Sequence, residues 1–270
     1  MQALSFSPEI TQPPFLLTTT ADSTLPLLVL LTCLPSFLLA AHYIRKDYHA
    51  FLALGPGGTP STPTGYARIC ILRLFTVRDP LSPPSIPPSL HPKHGQLPSS
   101  LPVRAGPRPT VAGIAPHRQT TQRASKTMYA TLSNRIHELV NAHPSTLRAA
   151  TSCFEKHSTG IFCVAAAAQA QAQAQRHTCD GEVCHSHPVD GSLHLTLHPA
   201  DVRAVLEKGW GQRHPLAWDD GGEEWCWWRW AKSVPPGFVM IYAPRDEREL
   251  EVVMDIIRAA VWWVGGTELK

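Results

Sequence analysis

SLHLTLHPADVRAVLEKGWGQRHP, residues 192–215, changes its period once, and the change decides the fold. From Ser192 to His198 polar and apolar residues alternate, so Leu193, Leu195 and Leu197 share one face of a strand and His194, Thr196 and His198 the other. Pro199 stands where helices begin, and ADVRAVLEKG (200–209) reads as a short helix with Gly209 at its left-handed stop. Downstream, GFVMIYAP (237–244) reads as a second strand. Asp246 with Glu249 then opens a helix whose inner face is Leu250, Val253, Ile257, Ala260, Val261 and Val264, closed by Gly265-Gly266. Upstream, Tyr129, Leu132, Ile136, Leu139 and Val140 carry helical spacing over 126–142, before Pro144, and GIFCV (160–164) reads as a strand. Strands and helices in this mixed order predict one α+β domain over 104–266.

The remaining sequence is organised by composition. Of 26 prolines in 270 residues, 11 fall between Pro80 and Pro116, so residues 79–103 lack the backbone donors for helix or sheet and are expected to be a linker. AAAAQAQAQAQ (165–175) has no apolar face and reads as an exposed insertion. EWCWWRW (224–230) is too apolar for a solvated loop and is expected to be core or a pocket lip.

Ahead of the linker, residues 1–24 form a short tail and Leu25–Ile44 runs 20 residues without a formal charge, the length of one bilayer crossing at about 1.5 Å per residue. No Lys or Arg precedes that run, which argues against a secretory signal, and Arg45-Lys46 follow it, so a single-pass transmembrane helix with the C-terminal bulk in the cytosol, on an internal membrane such as the endoplasmic reticulum, is expected. Residues 45–78 then read as a juxtamembrane element. Ten basic side chains against Asp47 and Asp79 give residues 45–125 a charge of +8, carried in Pro-rich chain without the interleaved aromatics of a nucleic-acid face; the expected partner is the lipid bilayer, not nucleic acid. Seven cysteines, odd in number and irregular in spacing, point to free thiols in a reducing compartment.

The polar residues that could do chemistry are His185, His187, His194 and His198, then Gln212, Arg213 and His214, then Tyr242 and Arg245. His185 and His187, in extended chain, present both imidazoles on one side about 7 Å apart at the backbone and can converge on an ion; His194 and His198 cannot, and Cys179-x4-Cys184 is looser than a structural zinc pair. The expectation is therefore that no metal and no other cofactor is held. It is instead an acid/base site in which histidines move protons near neutral pH and Arg213 and Arg245 stabilise an oxyanion. In GWGQRHP, Gly209 and Gly211 flank Trp210 and present Gln212 and the residues after it to whatever the loop covers. No phosphate loop, GxSxG elbow or HExxH is present, which excludes nucleotide-dependent and serine-hydrolase chemistry of those types.

RKDYHAFLALGPGG, GPRPTVAGIAPHRQTTQ, FEKHSTGIF, CHSHPVDGSLHL, KGWGQRHPLA and VPPGFVMIYAPRDERELEVV, in this order behind an apolar segment, resemble the fungal luciferase family across roughly 43–264. The resemblance implies a membrane-associated luciferase-like domain that adds dioxygen to a small aromatic or enolic substrate similar to 3-hydroxyhispidin, without metal or flavin, with loss of carbon dioxide. It implies catalytic roles for His185, His187, His194, Arg213, His214 and Arg245, and substrate contacts for Trp210, Gln212 and Tyr242. Light emission does not follow from membership, because related domains occur in fungi that do not glow. Two other classes stay open from sequence: a membrane-tethered, non-catalytic binding or interaction domain, and a metal-dependent hydrolase.

Overall fold

The structure, a computed structural model, describes residues 24–164, 178–218 and 234–269. The tail before Thr24, the Ala-Gln run and EWCWWRW lie outside the described residues. Two compact units divide the chain, Met1–Asp47 and Tyr48–Lys270.

In the first unit the expected membrane segment is helical: α1 spans Thr24–Ala53, with Pro35 inside it. It does not stop at the basic pair but continues through Arg45, Lys46 and Asp47. Among the described residues no helix is long and apolar enough to cross a membrane.

The second unit is α+β, as the alternation of period predicts. Its centre is a six-stranded antiparallel sheet in the order β3 (Leu147–Thr151), β4 (Thr159–Cys163), β5 (Glu182–Ser186), β6 (Leu193–Thr196), β8 (Phe238–Ile241) and β7 (Gly211–Arg213). A separate two-stranded ribbon pairs β1 (Val111–Gly113) with β2 (His117–Gln119). Three helices cover the apolar side. In α3 (Lys126–Ala142) the Ser125 hydroxyl caps the Met128 N–H, α4 spans Pro199–Glu207, and in α5 (Glu247–Gly265) Asp246 caps Glu249 and Gly266 takes a φ of 70° at the stop. Leu132 and Ile136 from α3, Leu193 and Leu195 from β6, Val202 and Val205 from α4, Val239 and Ile241 from β8, and Val253 and Ile257 from α5 form one core. Because β6 and β8 alternate, residues of the other parity, His194 on β6 and Phe238 on β8, come together on the opposite face, with ring centroids 5.1 Å apart.

That second face is covered by a smaller apolar cluster of Phe51, Ile69, Leu72, Ile114 and Leu216, in which the last turn of α1 and helix α2 (Pro63–Leu72) meet. Residues 48–75 therefore pack into the second unit. Residues 79–103 form no helix or strand, as their prolines require, yet they are not a free linker. Leu90 and Leu101 enter the main core, and the Gln96 and Leu97 N–H groups donate to the buried Asp201 carboxylate at 2.9 and 2.8 Å. The globular unit thus begins well before residue 104. Cys153 and Cys179 are joined in a disulfide, against the expectation of free thiols throughout.

Candidate functional site

On the face opposite the main core, five buried histidines line one cavity of about 190 Å³. His185 and His194 are directly opposite each other on β5 and β6, which places their side chains on the same face. His187 lies two residues beyond His185, His214 follows β7, and His117 enters from β2 of the ribbon. Phe154 and Phe238, centroids 4.8 Å apart, supply an apolar wall.

A buried carboxylate organises the rings. β5 carries one extra residue against β4: Cys184 pairs with Ile161 and Glu182 with Phe162, so Val183 is unpaired. Three residues apart on a regular strand would point to opposite faces; the bulge brings Glu182 and His185 to the same one. Glu182 Oε1 then accepts from His185 Nδ1 at 2.7 Å and from the Ser152 hydroxyl at 2.7 Å, and Oε2 accepts from the Cys153 N–H at 2.7 Å. This pattern fixes tautomers. With its Nδ1 proton on Glu182, His185 leaves Nε2 as an acceptor, 3.3 Å from His194 Nδ1. His194 therefore donates from Nδ1 and accepts at Nε2, 3.0 Å from His117 Nδ1. The result is a directed chain from His117 through His194 and His185 to Glu182, ending in His117 Nε2, for which no hydrogen-bond partner is present among the described residues.

His187 and His214 are held differently. His187 Nδ1 donates to Ser192 Oγ at 2.9 Å, because that hydroxyl gives its own proton to Asp190 at 2.6 Å. Its Nε2 is buried without a partner among the described residues. His214 uses both nitrogens on backbone, Nε2 donating to Ile114 O at 2.9 Å and Nδ1 accepting from the Leu216 N–H at 3.1 Å. Burial and the neighbouring rings push these imidazoles down: His187 to about 4, His214 to about 3, and His117 and His194 well below the usual value. The expectation of histidines poised near neutrality fails here, since desolvation in the cavity opposes the charged form. At pH 7 these four rings are neutral.

The luciferase domain family matches residues 180–260, and the chain is 34% identical over 239 residues to the luciferase of Armillaria mellea, with 84% of each chain covered. The chain belongs to the fungal luciferase family. The luciferase of Armillaria gallica is 34% identical over 238 residues, covering 84% of this chain and 83% of its own, and that of Neonothopanus nambi 33% over 231 residues, covering 82% and 81%. No solved structure matches the chain. The luciferase-domain stretch contains Glu182 and four of the cavity histidines, whereas His117 comes from outside it.

Of the residues expected to act in this luciferase-family chain, the structure brings together His185, His187, His194 and His214. It does not bring the two arginines to them. Arg213 is buried and donates to the Ala217 and Ser82 carbonyls, lining a different hollow with Trp218. Arg245 is paired with Glu249 and donates to Ala105 O at 2.8 Å. Trp210, Gln212 and Tyr242 also lie outside the cavity. Trp210 is a core residue whose Nε1 donates to Pro102 O at 2.7 Å, and the Tyr242 hydroxyl donates to Gln212 at 3.0 Å. His198, which the alternation places on the His194 face, instead caps α4, its Nδ1 accepting from the Ala200 N–H at 3.0 Å. The buried cation lining the cavity is Arg118, ion-paired to Glu155, with the exposed Arg68 and Lys156 also in the lining. His117 and Arg118 were present in the PHRQ part of the family motif; Glu182 had no signal, because the bulge that aims it is not written in the alternation.

Proposed function

We propose that this luciferase-family chain oxygenates a small enolic, pyrone-type molecule in the histidine cavity, with His117 Nε2 as the proton acceptor. The observation that carries this reading is the hydrogen-bond chain ending on Glu182. A lone buried imidazole pays heavily for a positive charge, but a proton arriving at His117 Nε2 can be matched by shifting each Nδ1 proton one ring onward, so that the charge ends beside the carboxylate. The enol loses its O–H proton and becomes an enolate, whose carbon gives an electron pair to dioxygen in forming a C–O bond. The terminal peroxide oxygen attacks the lactone carbonyl and displaces the ring oxygen, which leaves as an enolate, and cleavage of the O–O bond with the adjacent C–C bond then expels that carbonyl carbon as carbon dioxide. Arg118 is the fixed cation for the enolate and peroxide, and the phenyl rings of Phe154 and Phe238 keep the cavity apolar enough for both to matter. Oxygen uptake by the purified chain with hydroxypyrones is the test. His117→Ala is expected to lower the rate about 100-fold or more with the fold retained. Uptake at the wild-type rate by that variant removes His117 from the reaction; no uptake by the wild type with any pyrone or related enol replaces the enzyme by a non-catalytic binding domain.

The same proposal includes attachment to a membrane through residues 25–44. Its support is the uncharged run together with the exposed apolar side chains of α1, among them Leu34, Phe37, Leu38 and Leu39. Carbonate washing of membranes is expected to leave the full chain in the pellet and to release a variant lacking residues 1–44. Release of the full chain into the supernatant overturns the anchor.

A further inference from the structure

We infer that His185, His187 and His194 form a binding site for one zinc-like divalent transition-metal ion, which reverses the metal-free expectation. One ligand nitrogen from each ring lies within 4.8 Å of the others, and all three rings are buried. Metal–imidazole distances of about 2.0–2.1 Å put two nitrogens of a tetrahedral site about 3.3–3.4 Å apart. His185 Nε2 and His194 Nδ1 are already 3.3 Å apart. The third nitrogen, His187 Nε2, is the buried acceptor without a partner, a cost that a cation in the cavity would remove.

The surroundings have the form that metal-ligating histidines need. Each Nδ1 proton that must be held away from the ion is held: His185 on Glu182 at 2.7 Å, and His187 on Ser192, which is itself bonded to Asp190. His194 and His117 must both exchange tautomers, so that His194 Nε2–H donates to His117 Nδ1 at 3.0 Å and the His194 Nδ1 lone pair turns to the ion. A second grouping, His117 with His194 and His214, has the same spacing but fails chemically: both His214 nitrogens are taken by backbone. The reasons for expecting no metal, the separation of His194 from His198 and the loose cysteine spacing, do not touch the His185–His187–His194 set.

Occupancy would use the two nitrogens that carry the proton chain, so metal and turnover exclude each other; this consequence alone rests on the proposed reaction. The experiment is a titration of the chelator-treated full chain with Co²⁺, read by visible absorption without substrate, so its result is independent of whether oxygen uptake is ever seen. One Co²⁺ per chain is expected, with the intense absorption of a four-coordinate ion. His187→Ala should abolish it and Ser192→Ala should weaken binding about 10–100-fold, while the exposed His137→Ala leaves it intact. Cobalt-edge X-ray absorption of the wild type should show three imidazoles, a measurement that needs no variant to fold. No saturable binding, fewer than three imidazoles, or binding unchanged in a folded His187→Ala overturns the site. If Zn²⁺ binds but oxygen uptake continues undiminished, the proton chain is wrong and the metal site stands.

Discussion

Glu182→Gln should reduce oxygen consumption at pH 7 by about 100-fold or more while the chain still folds, and Glu182→Leu should leave little folded protein at all. The carboxylate is 1% exposed and accepts from four donors, His185 Nδ1, Ser152 Oγ and the Cys153 and Phe154 N–H groups. Glutamine keeps the volume but only one acceptor oxygen, so its amide N–H₂ must face either the Cys153 N–H or the His185 ring. In the first case His185 keeps its bond and loses the negative charge that compensates a proton on the ring; in the second the tautomer that starts the chain is no longer fixed. Either outcome removes the proton's destination, an effect of the size seen when a general base loses its partner. Leucine removes every acceptor and leaves all four donors unsatisfied, the two most buried, His185 and Ser152, at about 1–3 kcal/mol each, a large share of the stability of a domain. The readouts are initial oxygen-uptake rates with a pyrone that the wild type consumes, and thermal melts of each variant. A Glu182→Gln protein that melts near the wild type and turns over at its rate shows that the proton remains on His117, and the chain to Glu182 then has only a structural role.

The elements that were legible in the sequence are those whose period survives without help from distant chain. Helix 126–142 matches α3 residue for residue, because Leu132, Ile136 and Leu139 keep their spacing between a serine cap and Pro144. The strand read over 192–198 ends two residues early, because His198 spends its Nδ1 on the first turn of α4. The site was half legible for a related reason. His185, His187 and His194 are placed by ordinary strand alternation, and the alternation is visible. Glu182 is placed by a bulge whose only sign is a register step between two strands, and His117 by a ribbon of three-residue strands too short to have a period. Arg213 looked like a neighbour of His214 in the same loop, yet adjacent residues of an extended segment diverge, and each finds different backbone carbonyls. In the Pro-rich stretch, composition excludes helix and strand correctly but says nothing about Leu90, Leu101 and the N–H groups that dock on Asp201, since those contacts are set by chain more than 100 residues away.

Acid should unfold this domain at an unusually high pH, with the loss of stability well under way by about pH 5. At pH 7 His117, His187, His194 and His214 are neutral in the folded chain, and in the unfolded chain they are neutral above the ordinary value of 6.5. As pH falls below 6.5 the unfolded rings take up protons and the folded ones do not, until about 4 for His187 and about 3 for His214, with His117 and His194 also well below the ordinary value. The unfolded state binds more protons throughout that window, so stability is fully present above 6.5 and is lost as pH falls, at about 1.4 kcal/mol per pH unit for each ring. At pH 5 His187 and His214 have each cost about 2 kcal/mol, about 4 together, and His117 and His194 add to this in the same direction, against the 5–15 kcal/mol that holds an ordinary domain together. Circular dichroism of the purified chain from pH 8 to 3, with chelator present so that only protons compete for the ring nitrogens, reads the transition, and denaturant melts at pH 7, 6 and 5 read the slope. A domain that keeps its near-ultraviolet signal and its denaturant midpoint down to pH 4 would mean that the cavity admits enough water to charge the rings where they stand, and the dry, neutral histidine cluster on which the proton chain depends would have to be given up.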